Sequence, residues 1–325
     1  MWPVVGHEWA VALLRQSLVE DRVGHAYLIT GPPQIGKTTL AHTFAQALNC
    51  THSEAAERPC GACRSCRLID NHSHPDVQVI EPEGVYLKIG QIRELQRQVA
   101  LSPVEGQWKI YILREMECAT TEAANALLKT LEEPPSHALL LLTASEAEAL
   151  LPTIVSRCQP VPLRPLSRKA VEQALVERWQ VSPAKASLAA SLSAGRLGWA
   201  VEASQKPAVL ERRSQWLDEL QELLKHGRAE RFAYAARLSR NPATLRATLC
   251  LWLTWWRDLL LLTHGSETRL THQDRKESLR QVAERLKPEQ ALRAVEAIRA
   301  AVRGLDSHTN PRLTVEVLML SLPTV

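Results

Sequence analysis

At 325 residues the chain is too long for one ordinary core, so two or three domains are expected. A hydrophobic content of 45% and a charged content of 23% place it with globular proteins and away from disordered or fibrous ones. Its net charge of +4 comes without a dense Lys/Arg block, which permits contact with nucleic acid but does not argue for it.

The start, Met-Trp-Pro-Val-Val-Gly-His-Glu, carries no basic-then-apolar leader, and the most membrane-like run, Leu249 to Leu262, is broken by Arg257 and Asp258. A cytoplasmic protein with no membrane contact is therefore expected. Residues 6 to 23 read as a helix with Trp9, Leu13, Leu14 and Leu18 on one side. The apolar run Ala26 to Ile29 reads as a buried strand leading into Gly31-Pro-Pro-Gln-Ile-Gly-Lys-Thr38, the G-x-x-x-x-G-K-[ST] phosphate-loop pattern. Leu40, Phe44 and Leu48 then recur on one helical face. Strand, glycine loop and helix are what phosphate binding needs. The glycines let backbone N–H groups crowd around phosphate oxygens, the helix start adds positive potential, and Lys37 adds a full charge. Gly31, Gly36, Lys37, Thr38 and Thr39 are the candidate nucleotide-binding residues; the bland alternative is a glycine turn without a ligand.

The next segment has turn-formers and no apolar period, and reads as an insertion. Of seven cysteines, Cys50, Cys60, Cys63 and Cys66 cluster there, a spacing that points to a metal before a disulfide. Four thiolates suit a structural zinc with no open coordination position. An iron–sulfur cluster competes, although no Cys-Pro follows Cys66, and metal-free reduced thiols remain the simplest alternative. His72 and His74 could add ligands but read better as surface-loop histidines. Cys118, Cys158 and Cys250 are isolated and are expected to be buried.

Asp76 to Ile80 reads as a short strand, and Ile89, Ile92, Leu95 and Val99 as the face of an amphipathic helix. Lys109 to Leu113 is a second buried strand. Thr120 or Thr121 caps a helix bearing Ala123, Leu127, Leu128 and Leu131, which Pro134-Pro135 stops. Ala138 to Thr143 is a third strand, continuous enough for a parallel sheet covered on both faces. Alternation of strands and helices behind a phosphate loop gives a doubly wound α/β domain. Three prolines in Pro160 to Pro165 suggest a linker, and everything beyond reads as helical. The Trp252, Trp255 and Trp256 group suits a helical core or a subunit contact better than base stacking.

The phosphate loop, the four-cysteine insert, Asn125-Ala-Leu-Leu-Lys-Thr-Leu-Glu-Glu-Pro-Pro135, Ser156-Arg157-Cys158 and Asn310-Pro-Arg-Leu313 together resemble the clamp-loader subunits of bacterial DNA polymerase III. These are AAA+ proteins. The resemblance implies an α/β AAA+ P-loop domain over residues 1–164 with a zinc-binding insert at about 50–66. A small helical lid over 165–207 and an all-α collar that oligomerises over 208–325 would follow. It is strong to about residue 205 and rests on helical character beyond.

Two kinds of subunit in that family carry the insert, the gamma/tau motor and delta-prime. In the motor the second strand ends Asp-Glu, for Mg²⁺ and for water activation; here the matching residues are Arg114 and Glu115. A guanidinium cannot be deprotonated and repels the metal on which phosphoryl transfer depends. The motor's lid arginine falls at Gly198, with Arg196 two residues off. Both departures, and the length, resemble delta-prime. By the resemblance Arg157 is a finger that reaches a neighbour's ATP in trans, while the chain's own loop holds ATP or ADP without productive Mg²⁺. Thr143 or Ser145 would occupy the γ-phosphate sensor position, or merely end the strand. The implied partners are the delta and gamma/tau subunits and, through the complex, the sliding clamp and primer-template DNA. An active gamma-type ATPase and an unrelated zinc-bearing P-loop regulator of nucleic acid are the alternatives.

Overall fold

The computed structural model describes residues 2–267, 270–306 and 309–324, which form two compact units, Met1–Pro165 and Leu166–Val325.

The first unit runs α1 (Glu8–Val19), β1 (Ala26–Thr30), α2 (Lys37–Leu48), α3 (Arg64–Asp70), β2 (Val77–Ile80), α4 (Ile89–Val99), β3 (Lys109–Leu113), α5 (Thr121–Glu132), β4 (Ala138–Ala144), α6 (Pro152–Val155) and β5 (Gln159–Pro162). The strands make one five-stranded sheet in the order β2-β3-β4-β1-β5, with every pairing parallel. Strand alternation feeds two cores. Tyr27, Ile29, Ile110, Ile112, Leu139 and Leu141 meet Leu40, Phe44 and Leu48 of α2 on one face. Leu28, Tyr111, Leu113, Leu140 and Leu142 meet Ile92 and Leu95 of α4 and Leu127 and Leu131 of α5 on the other. Burial on both sides is why these strands read as unbroken apolar runs. The doubly wound expectation is met.

Two details differ from the sequence reading, and a third settles which of two threonines caps α5. In α1 the buried positions are Ala10 and Leu14, while Trp9 is exposed, because the helix turns its small residue toward the sheet. The proline-rich stretch expected as a linker begins with β5, which pairs with β1 at the sheet margin. Leu163 donates its N–H to Thr30 O, so by alternation Val161 also faces β1 while the ring nitrogens of Pro160 and Pro162 face away. Thr120 is the cap of α5, its hydroxyl accepting from Ala123 N–H at 3.2 Å.

The second unit is helical among the described residues. It comprises α7 (Arg168–Trp179), α8 (Pro183–Leu192), α9 (Leu197–Gln205), α10 (Pro207–Lys225), α11 (Arg228–Leu238), α12 (Pro242–Thr263), α13 (Lys276–Ala283), α14 (Pro288–Asp306) and α15 (Pro311–Ser321). Its core gathers Leu217, Leu220 and Leu224 of α10, Leu249 and Trp252 of α12, Ile298 of α14 and Leu318 of α15. Trp252, Trp255 and Trp256 are fully buried, as a helical core requires, and none offers a face to a base. No helix among the described residues is long and apolar enough to cross a membrane.

Candidate functional site

The phosphate loop is built by backbone geometry that only glycine accepts at two points. Gly31 leaves β1 at φ 145°, and a Cβ there would stand 2.6 Å from Leu163 O. Gly36, at φ 115°, is the left-handed residue that starts α2. Gly31 N–H donates to Ala144 O at 3.2 Å and Ser145 O at 3.1 Å, tying the loop to the end of β4. Lys37 folds back over the loop, its ammonium donating to Gly31 O at 2.5 Å and Pro32 O at 3.1 Å. Thr38 and Thr39 face a cleft of about 1070 Å³ whose wall also holds His42, His72, Glu81 and Arg114.

Arg114 follows the fully buried β3, and Glu81 follows β2; the register pairs Ile80 with Leu113, so the two side chains emerge next to each other. They form an ion pair between Arg114 Nη1 and Glu81 Oε1. The fixed positive charge read from the sequence is present, but it has a carboxylate companion that the sequence reading missed. Glu115 is exposed and held at φ 52°, its N–H donating to Thr143 Oγ1 at 3.2 Å. Ser145 donates its hydroxyl to the buried Glu117 at 2.5 Å. Thr143 and Ser145 thus lock the loop after β3 to the end of β4. Burial, followed by the charges of His72 and Arg114, lowers the pKa of His42, keeping its ring neutral at neutral pH.

Arg157 does not line this cleft. It follows α6, donates to Thr153 O at 2.9 Å, and pairs with Glu132 at 2.8 Å with a third of its side chain exposed. Arg196 precedes α9, donates to Ser193 O at 2.9 Å and lies over the Trp199 ring; Gly198 is exposed.

The four clustered cysteines converge. Cys50 follows α2, Cys63 caps α3, and Cys66 lies within α3. All four Sγ atoms lie within 4.8 Å of one another. A tetrahedron with Zn–S of about 2.3 Å has sulfurs about 3.8 Å apart, so the set fits a single ion and leaves no room for a multi-iron cluster. Amide N–H groups point at the sulfurs: Cys60 N to Cys50 Sγ at 3.4 Å, Cys63 N to Cys60 Sγ at 3.3 Å, and Cys66 N to Cys63 Sγ at 3.4 Å. Burial works against a thiolate at Cys63, yet the amides of Cys66 and Thr51 outweigh it and bring that thiol down to about 6. The amide of Cys63 lowers Cys60, and burial raises Cys50 and Cys66. The cluster can hold a zinc ion, as a closed structural site with no position for catalysis.

His72 and His74 stay out of the cluster. His72 packs edge-on against His42 at 4.8 Å, and His74, expected at the surface, is buried with Nδ1 accepting from Asp76 N–H at 3.1 Å. Of the isolated cysteines only Cys158 is buried, its thiol pushed up to about 12 by burial; Cys118 and Cys250 are half-buried.

Residues 6–167 match the family described as "DNA polymerase III, delta subunit", and residues 207–324 match "DNA polymerase III, delta subunit, C terminal". The chain is 32% identical over 314 residues to DNA polymerase III subunit delta' of Bacillus subtilis, covering 95% of this chain and 94% of the relative. It is 38% identical over 172 residues to DNA polymerase III subunit tau/gamma of Haemophilus influenzae, covering 53% of this chain and 25% of that relative. A solved DNA polymerase III gamma-subunit-related protein from Thermotoga maritima aligns over 96% of this chain and 98% of its own, at 21% identity and a TM-score of 0.41. The unrelated-regulator alternative is set aside by these matches. With a delta-prime relative alike along nearly its whole length, the chain belongs to the delta-prime subunits of bacterial DNA polymerase III.

Proposed function

We propose that the chain works as a non-hydrolysing subunit of an AAA+ clamp loader, lending Arg157 to the nucleotide site of a neighbouring ATPase subunit. The observation that carries this reading is the Arg114–Glu81 ion pair at the exit of β3, beside Thr38 in the same cleft. A magnesium ion serving phosphoryl transfer needs a free acid there, and it meets a guanidinium with the Glu81 carboxylate already engaged on it. Exposed Glu115 can act as a base, but without an anchored metal it achieves little.

Arg157 supports the second half of the reading. It lies outside the chain's own cleft, and the partly exposed pair that holds it to Glu132 is worth about 1 kcal/mol or less, so it gives way easily. Its partners in this reading are the delta and gamma/tau subunits, and through them the sliding clamp and primed DNA. Within the second unit we assign 165–207 to the lid and 208–325 to the collar, since the second family match and α10 both begin at 207. Leu313, Val317 and Leu320 form an exposed aliphatic stripe on α15 that suits collar assembly. The zinc ion in Cys50, Cys60, Cys63 and Cys66 is structural.

The test is hydrolysis by the isolated chain. Turnover at background level, with native mass spectrometry showing the chain in a complex with delta and gamma/tau subunits, is the expected result. Robust ATP hydrolysis by the chain alone would make it an active gamma-type motor instead.

A further inference from the structure

The end of β3 does not fit a magnesium ion, and that misfit has a positive counterpart. Resting on the reading of Gly31 to Thr39 as a nucleotide site, we propose that this cleft takes a magnesium-free nucleoside polyphosphate, with Arg114 leaving Glu81 to grip a phosphate oxygen where the metal would otherwise sit. Glu81 is then an internal competitor of the ligand.

Four observations support it. Thr38 and Thr39, at the end of the phosphate loop, share one cleft with Glu81 and Arg114, so a phosphate held by the loop lies at the mouth of the space that Arg114 faces. The strand order puts β4 alone between β3 and β1, so the ends carrying Arg114 and Gly31 stand roughly 10 Å apart, within reach of an arginine side chain and a polyphosphate. The Arg114–Glu81 pair is exposed to solvent, with 34% and 56% of the two side chains accessible, so it opens at little cost. An arginine–phosphate contact is charge-assisted and matches the guanidinium fork, so the exchange favours the ligand. A magnesium ion would instead have to draw Glu81 away and leave Arg114 uncompensated beside a divalent charge. His42 is neutral at neutral pH, and Asp70 is the other carboxylate lining the cleft, so the cationic charge there comes from Arg114, with Lys37 above the loop.

Calorimetric titration of the full chain with ADP and ATP, in EDTA and in excess magnesium, tests this. The expected result is binding in EDTA as tight as in magnesium, or tighter. Arg114→Gln should weaken binding in EDTA by about tenfold, while Glu81→Gln should tighten it several-fold. Opposite signs from two neighbouring substitutions exclude a merely structural role, and an unchanged thermal melt checks the fold of each variant. Binding that requires magnesium, or weakens in Glu81→Gln, would overturn the proposal while leaving the phosphate loop a nucleotide site. No binding in either buffer would overturn both. Lys37→Ala, expected to abolish binding in both buffers, confirms that the heat comes from this loop.

Discussion

Arg157 is paired at 2.8 Å with Glu132, the last residue of α5, and its other nitrogen donates to Thr153 O in the first turn of α6. A side chain fixed at both ends of its guanidinium is pre-aimed, and only the Glu132 arm has to yield for it to meet an anion. Arg157→Ala is expected to leave the complex assembled while slowing ATP hydrolysis at the adjoining subunit, by as much as about 10³-fold at that site. Glu132→Gln should leave the rate unchanged or slightly raised. Steady-state ATPase of the reconstituted complex, with its mass measured in parallel, decides; a wild-type rate in Arg157→Ala ends the finger role.

The cysteine set predicts about one zinc per chain, without iron absorbance. Cys60→Ser should lose the ion and lower the melting temperature, because the insert between α2 and β2 has little apolar core and takes its order from the metal. Elemental analysis with a thermal melt reads both. Retention of zinc in the variant would contradict the four-sulfur assignment.

In the second unit a buried polar network is expected to make stability depend on pH. His272 is fully buried, its Nδ1 accepting from Arg213 at 2.5 Å and its Nε2 meeting Thr254 Oγ1 at 2.9 Å. Burial and then the surrounding arginines push its pKa down to about 2. A depressed histidine stabilises the folded state fully above the unfolded value near 6.5, and that contribution drains away as pH falls below it. Asp258, which accepts from the amides of Thr271 and His272, is pushed up to about 6 by burial, so it acts oppositely, gaining stability as pH falls from 6 toward 3.8. The two offset each other across that window, and the histidine loss dominates below it at about 1.4 kcal/mol per pH unit. Denaturant unfolding between pH 7 and pH 3 should show this late collapse, and His272→Gln should blunt it. An unaltered acid profile would remove His272 as the cause.

Arg231 is buried, and among the described residues its hydrogen-bond partners are mostly backbone carbonyls; it donates to Leu223 O at 3.0 Å, Met319 O at 3.0 Å and Leu322 O at 2.7 Å. The negative ends of α10 and α15 receive its charge. Arg231→Met is expected to cost roughly 3 kcal/mol, since several carbonyls lose their donor at once. Chemical denaturation measures it, and a shift below about 0.5 kcal/mol would contradict the role.

How far the sequence reveals all this depends on whether the cause is local. The strands β1, β3 and β4 and the helix α4 are legible because burial on both faces, or on one stripe, writes itself into consecutive residues. The glycines of the loop and the cysteine spacing are legible for the same reason. Glu81 was not, because it meets Arg114 across 33 positions, and only the strand register brings them together. Nor was β5: its prolines signal a linker until a sheet margin supplies a place where missing donors do no harm. Helix α11 lies within the region read as helical, but no apolar run marks its bounds, because Arg231 and Tyr234 stand among its buried residues.

Those two prolines also govern what can happen on the far side of β5. A foreign strand arriving there finds carbonyl acceptors but, at Pro160 and Pro162, nothing to donate in return, so sheet growth by self-association is blocked at that margin. The same pair of rings guards that margin against fibrillar misassociation without adding a single surface charge.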